Sequence, residues 1–268
     1  MKKTLQEIGE GFLLSLQFFT SIPIYRSIPL EPSTLKRAIQ SFPIVGLLIG
    51  FLLLGLGYAF SQWTPFSPLA VAFLIFIASI VSTGGIHIDG WIDCSDAYFS
   101  YRDTDKRLDI MKDPRVGSFG VLSVILLLAT KFFAMYETIV RLDIFDLSVM
   151  VSIPFLSRIG AGVLLVIGVP ARQEGLATFF QKGIEKKDLS VYLIYVFVVS
   201  MIFFIALNES WIIYAILLFS VLLWIPFVYR WIHRQFGGIT GDTIGAAIEG
   251  GETLLWIVLW LCAYYVTV

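Results

Sequence analysis

The sequence predicts an all-α fold: a polytopic membrane bundle of about seven spanning helices, with an N-terminal helix at the interface. Three observations predict it. The 268 residues are 57% hydrophobic, with a mean hydropathy of +0.84, and only 15% are charged, against about a quarter in water-soluble domains. The apolar residues come in blocks of about 20, the length that crosses a bilayer, rather than in one-sided stripes. All of the 19 Lys and Arg except Lys131, Arg141 and Arg158 fall in the N-terminal segment or in alternate loops between the blocks. That asymmetry orients membrane helices. No repeat or low-complexity linker divides the chain, so residues 1–268 read as one transmembrane domain.

The opening MKKTLQEIGEGFLLSLQFFTSIPIY looks superficially like a signal peptide. Glu7, Glu10 and Gln17 interrupt it and no small-residue cleavage site follows, so an interfacial or partly inserted helix is expected instead. Spans are expected near Ala38–Phe60, Phe66–Gly84, Gly117–Tyr136, Leu147–Val169, Leu189–Leu207, Trp211–Tyr229 and Thr253–Val268. The last is short and borrows its start from the preceding GDTIGAAIEGGE. The basic residues then place the N-terminus and loops 85–116, 170–188 and 230–252 in the cytoplasm, with the C-terminus outside. Every polar motif lies in those segments, which points to one assembled site. Cys94 and Cys262 fall at different levels of the bilayer and read as small buried residues, not a disulfide. The net charge of -1 and the lack of a basic patch point away from nucleic acid.

The first chemical motif is GGIHIDGWIDCSDAYFS. On a helix Asp89, Asp93 and Asp96 are spaced i, i+4 and i+7 and share a face. Carboxylates stacked this way repel unless a cation sits among them, and a hard divalent ion such as Mg²⁺ suits oxygen ligands. At the bilayer centre three such charges would cost about 8–10 kcal/mol, so a wet cavity near the interface is expected. Gly84, Gly85 and Gly90 allow close approach of a helix or a ligand. His87 points to another face, as a donor behind the acids, a general base or a packing residue. His233, in YRWIHRQ, is expected at the membrane surface.

The second motif is RLDIMKDPRVGSFG, where Asp109 and Asp113 repeat the i, i+4 spacing beside Lys112 and Arg115. Residues 102–107 read as a solvated loop. Lys112 or Arg115, at a helix start, could hold a phosphate, Arg through its bidentate fork. The third motif, GGITGDTIGAAIEGGE, sets Asp242, Glu249 and Glu252 along one helix face with Gly245, Ala246 and Ala247 between them, a second wall for a metal cavity. Within the spans, Arg158 and Lys131 are rare cations that usually face a cavity or an acidic partner. Lys131 could instead snorkel outward.

In order, SLQFFTSIPI, FPIVGLLIG, GGIHIDGWIDCSDAYFS, RLDIMKDPRVGSFGVL and GGITGDTIGAAIEGGETLL resemble the cobalamin synthase family, the adenosylcobinamide-GDP ribazoletransferases, over nearly the whole chain. The resemblance implies that the 3′-hydroxyl of α-ribazole, or of its 5′-phosphate, attacks the cobinamide-linked phosphorus of adenosylcobinamide-GDP. GMP leaves and adenosylcobalamin or its 5′-phosphate forms, with Mg²⁺ required. It implies a multi-pass protein of the plasma (inner) membrane with a cytoplasmic site. Phosphoryl transfer is catalysed mainly by positioning and charge neutralisation. Asp89, Asp93 and Asp96 are accordingly expected as principal Mg²⁺ ligands, with Asp113, Asp242 and Glu249 as further candidates. Asp96 or Asp113 is expected to accept the hydroxyl proton, and His87 joins them as a catalytic residue. Lys112, Arg115, Arg158, Gly84, Gly85, Gly90, Gly241 and Thr243 are expected to contact substrate. A homo-oligomer, or association with other cobamide-pathway enzymes, suits a bulky intermediate handed between enzymes.

One departure from the family pattern is the IEGGE stretch, whose two glycines are expected to break the helix and move Glu252 off the acidic face. Two rival classes are weaker. CDP-alcohol phosphotransferases need an Ala-Arg pair soon after Asp-Gly, and here Trp91-Ile92-Asp93 follows. Secondary transporters usually bind near the midplane between repeats, whereas these acids cluster at one face.

Overall fold

The computed structural model describes residues 2–142, 147–206 and 210–265; the expected span ends at Leu207 and Val268 lie outside them. Among the described residues there are eleven α-helices, two 3₁₀ turns and no strand. In order they are α1 (Lys2–Phe19), α2 (Pro32–Trp63), α3 (Pro68–Thr83), α4 (Ile86–Phe99), α5 (Thr104–Ile110) and α6 (Ser118–Arg141). Then come α7 (Ser152–Ile167), α8 (Leu176–Phe180), α9 (Ser190–Ala206), α10 (Ser210–Phe236) and α11 (Gly241–Tyr265). The 3₁₀ turns lead into α7 and α9. α2, α6, α7, α9, α10 and α11, the turns included, are each long and apolar enough to cross a bilayer.

The expected span at Phe66–Gly84 takes a different form. α3 has 16 residues, about 24 Å at the α-helical rise, short of the ~30 Å hydrocarbon core. It bends by 85° into α4. Gly84 and Gly85 make the bend, at φ 64° and 75°, a left-handed conformation open to glycine. Their amides close the end of α3 on Val81 O at 3.0 Å and Ile80 O at 3.3 Å. The acidic helix is thus one arm of a broken pair, not a loop after a complete span.

α7 and α11 form the centre, 83% and 72% buried over their apolar windows, while the other spans are a third buried or less. The outer helices turn apolar side chains outward; Leu193 and Ile205 on α9 are 73% and 72% exposed. A continuous apolar exterior of this kind suits lipid. α2 tolerates Pro43 because the missing amide would have bonded Ile39 O, and the Tyr192 hydroxyl donates to that oxygen at 2.6 Å. α1 packs along α2 with Leu14 buried and Leu5 and Ile8 exposed, so it is docked on the bundle through one face. α11 runs through Gly250 and Gly251 without a break, contrary to the expectation drawn from IEGGE. A Cβ at either would meet the Trp224 ring at 3.0 Å, so the glycines admit that ring.

The segments sorted to one side by their basic residues do meet at one end. Arg107 donates to Gln235 O at 3.1 Å, and Arg172 to Leu108 O. Ala171 N donates to Ile239 O at 2.9 Å and Ile239 N to Val169 O at 2.8 Å, the bridge beside Pro170. Lys36 pairs with Asp188 at 2.5 Å. His233 belongs to the same junction, accepting from Val169 N at 3.1 Å.

Candidate active site

The acidic helix and the last helix are brought together by small residues. A Cβ on Gly90 would lie 2.6 Å from Asp242 O and 3.0 Å from its Cα, and one on Gly245 would lie 3.3 Å from His87 Cα. α4 therefore crosses the first turn of α11 nearly backbone to backbone. That turn is fixed by Thr240 and Thr243, which cap each other: Thr243 N donates to Thr240 Oγ1 at 3.1 Å and Thr240 N to Thr243 Oγ1 at 2.8 Å. The Thr243 hydroxyl, expected on substrate, is engaged in this cap. The crossing sets Asp242 beside Asp89 and Asp93, and the charges of Asp89, Asp242 and Asp96 all act on Asp93. Asp89 is exposed, whereas Asp93 and Asp242 are half-buried.

The remaining acids have other partners. Asp96 accepts the Gly117 amide at 2.6 Å and the Gly120 amide at 2.7 Å, so it caps α6, whose first amides lack intrahelical acceptors. Asp113 is held by Arg115 through two bonds of 2.9 and 2.6 Å. That fork pulls its carboxyl down to about 2, which makes it a poor proton acceptor. The pair and Lys112 lie on the surface, and neither Lys112 nor Arg115 lines the cavities at the acidic crossing.

Glu249 and Glu252 stand deeper and are taken by the two intramembrane cations. Lys131 donates to Glu249 at 3.0 Å and to Glu252 at 2.7 Å; Arg158 pairs with Glu252 and donates to Ser157 Oγ at 3.0 Å. Lys131 and Arg158 are 2% and 1% exposed. A charge at this depth is costly unless paired. Glu249, expected in the metal set, is paired with Lys131, and Arg158, expected on substrate, ties α7 to α11 through Glu252. Lys131 does not snorkel.

A cavity of about 240 Å³ opens at the crossing. Asp89, Asp242 and Gly241 line its polar part, and Phe18, Phe19, Leu165, Phe180 and Ile248 its apolar part. His87 lines it too, 4% exposed, with no hydrogen-bond partner on Nε2. A smaller neighbour of about 110 Å³ shares Gly241 and Asp242 and adds Arg172 and Thr178. Arg172 acts electrostatically on Asp242. Sequence reasoning missed it because it sits in an irregular loop; Pro170 just before it and the loop's assignment to the cytoplasmic side were the available signals.

The cobalamin-5-phosphate synthase family matches the chain over residues 11–260. The chain belongs to that family. Among its relatives, the adenosylcobinamide-GDP ribazoletransferase of Geobacillus sp. (strain WCH70) is 43% identical over 96% of this chain and 98% of its own length. That of Halalkalibacterium halodurans is 35% identical over 93% and 95%, and that of Clostridioides difficile 31% over 94% and 98%. No solved structure matches. In this cobalamin-5-phosphate synthase family member, no three His, Cys, Asp or Glu side chains among the described residues converge into a ready metal cage. Mg²⁺ rarely uses one: it is held by one or two carboxylates together with substrate phosphates and water. Asp89, Asp93 and Asp242 supply hard oxygens and, among the described residues, none is in a salt bridge. The donor set fits that ion.

Proposed function

We propose that this chain joins adenosylcobinamide-GDP to α-ribazole or its 5′-phosphate at the cytoplasmic surface of the plasma membrane. The observation that carries the reading is the crossing at Gly90, which brings Asp242 and Asp89 to one cavity, with Asp93 within electrostatic reach of both. The acceptor's 3′-hydroxyl forms a bond to the cobinamide-linked phosphorus, the bond from that phosphorus to GMP breaks, and GMP departs. The hydroxyl proton passes to whichever of Asp89 and Asp242, both lining the cavity, is not holding the metal. Asp96 and Asp113 are committed elsewhere. Arg172 stands where a guanidinium can fork onto a phosphate beside the acids. One or two of Asp89, Asp93 and Asp242 would hold Mg²⁺ together with substrate phosphate oxygens and water, and the ion would neutralise charge on the two phosphates. The rigid crossing fixes the acids beside the phosphates.

The test is GMP release by the detergent-purified protein given adenosylcobinamide-GDP, α-ribazole and Mg²⁺, with Asp89→Asn as control. Release that requires acceptor, metal and Asp89 is expected. Release at near-wild-type rate by a folded Asp89→Asn protein in limiting Mg²⁺ would sink the assignment of the acids.

A further inference from the structure

α4 is the short arm of the broken pair, and a groove runs over its outer side between α6 and α10. Two cavities of about 290 and 390 Å³ make it, sharing Trp91, Phe99 and Ser123. The first follows α10 past Trp224, Phe227 and Trp231, and the second follows α6 past Phe119, Leu122 and Leu126. Phe227, Phe119, Leu122 and Leu126 are exposed, so the groove opens away from the bundle. From Phe119 to Thr130 it tracks α6 for about 17 Å at the helical rise, a little over half the ~30 Å hydrocarbon core. That is the depth of one leaflet.

The polar groups of the first cavity are already engaged. Trp91 Nε1 donates to Ser123 Oγ at 2.9 Å, the Ser95 and Ser123 hydroxyls lie 2.9 Å apart, and Trp224 Nε1 donates to Ala247 O at 3.2 Å. A ligand rich in amides or hydroxyls would lose its water here without finding partners; a hydrocarbon chain needs none. At one end the lining gives way to arginine. Gln235 follows Trp231 by four residues and Arg234 follows Phe227 by seven, so both continue the lining face of α10. Arg107 donates through Nη1 to Gln235 Oε1 at 2.6 Å and lies 5.6 Å over the ring of Tyr98, another lining residue. Among the described residues neither Arg107 nor Arg234 is in a salt bridge, and the nearby Asp103 pairs with Lys106 at 3.7 Å.

We infer that this groove holds an acyl chain of an anionic phospholipid, with the lipid phosphate on Arg107 and Arg234. Charge complementarity fixes the class. Two guanidinium groups without counter-ions suit a phosphate that carries net charge, whereas a choline headgroup brings a cation of its own to the same place. The site is independent of the proposed reaction, yet it lies directly behind the acids. Cys94 and Thr243 line the groove, and each is next in the chain to one of the acids at the crossing, Asp93 and Asp242. A seated chain therefore packs against the back of the α4–α11 contact.

Trp91, Trp224 and Trp231 border the groove and report its occupancy. Full-length protein is reconstituted into phosphatidylcholine vesicles with a rising minor fraction of lipid whose acyl chains are brominated, since bromine quenches tryptophan fluorescence on contact. One series carries the bromine on phosphatidylglycerol, the other on phosphatidylcholine. Half-maximal quenching is expected at a mole fraction at least about fivefold lower for phosphatidylglycerol. The double variant Arg107→Gln/Arg234→Gln should bring the two curves together, and unaltered quenching by brominated phosphatidylcholine shows that it is folded and inserted. Lys182→Gln/Lys186→Gln removes the same charge from exposed positions in the 170–188 loop and should keep the wild-type difference. Coincident curves for the wild type overturn the inference. So does a difference that survives the arginine variant, or one that the lysine variant abolishes equally, which would mark attraction by the basic face as a whole.

Discussion

Replacing Gly90 by alanine loads one methyl group into the closest helix contact of the site. The added Cβ would lie 2.6 Å from Asp242 O and 3.0 Å from Asp242 Cα. Ordinary contact begins at 3.4 Å, so the first turn of α11 must retreat by about 0.8 Å, because a backbone atom cannot rotate away as a side chain can. The retreat carries Asp242 away from Asp89 and Asp93. Overpacking of this kind costs about 1–3 kcal/mol, and a misplacement near 1 Å costs about 10²-fold in rate. Turnover should therefore fall about a hundredfold, with a modest drop in Tm. Two controls bracket it. Gly245→Ala meets its neighbours at 3.3 Å, so a loss below about tenfold is expected; Gly55→Ala has nothing within 4 Å and should match the wild type. The assay is GMP release by monodisperse protein, with thermal unfolding in the same detergent. A Gly90→Ala enzyme within about threefold of wild type would refute the idea that this crossing sets the geometry of the acids.

Three further outcomes are expected. Lys131→Met strands Glu249 in the bundle and should cost about 3–5 kcal/mol, read as a fall in Tm; adding Glu249→Gln should restore much of it, and no restoration would refute the pairing. Asp96→Ala leaves the Gly117 and Gly120 amides without their charged acceptor, at about 1.5–3 kcal/mol each, and an unchanged Tm would show that Asp96 does not cap α6. Asp113→Asn should leave turnover within about twofold. Because the Asp113 carboxyl is depressed in the folded protein, whatever its pair with Arg115 contributes is present above the ordinary carboxylate range and is lost only as pH falls toward 2. The wild type and Asp113→Asn should therefore have parallel stability profiles between about pH 5 and 8, and profiles that diverge in that range would contradict the surface pairing.

The sequence was most legible where periodicity and composition act locally. Apolar blocks located the spanning helices, and the i, i+4, i+7 spacing placed Asp89, Asp93 and Asp96 on one helix. What it hid was pairing at long range. Glu249 and Glu252 look like Asp242 in spacing, and only the approach of Lys131 from α6 and Arg158 from α7 makes them counter-ions. Asp96 looks like its two neighbours until the amides of Gly117 and Gly120 arrive from the start of α6. Gly84 and Gly85 were read as allowing close approach of a helix or a ligand, whereas their positive φ angles end one helix and aim the next. Gly250 and Gly251 were read as a weak point, and the Trp224 ring that fills the space beside them comes from a separate helix.

The pairing of Lys131 and Arg158 with acids on α11 also has a meaning in time. A ribosome makes both cations before Glu249 and Glu252 exist. Each unpaired cation disfavours insertion by about 2.5–3.5 kcal/mol at a helix centre. Each cation therefore offsets part of its own helix's apolar insertion free energy until the final helix arrives with both counter-charges. That helix also delivers Asp242. Completion of the fold and completion of the site are one event, so a partly synthesised chain holds neither a settled bundle nor a second wall for its acids.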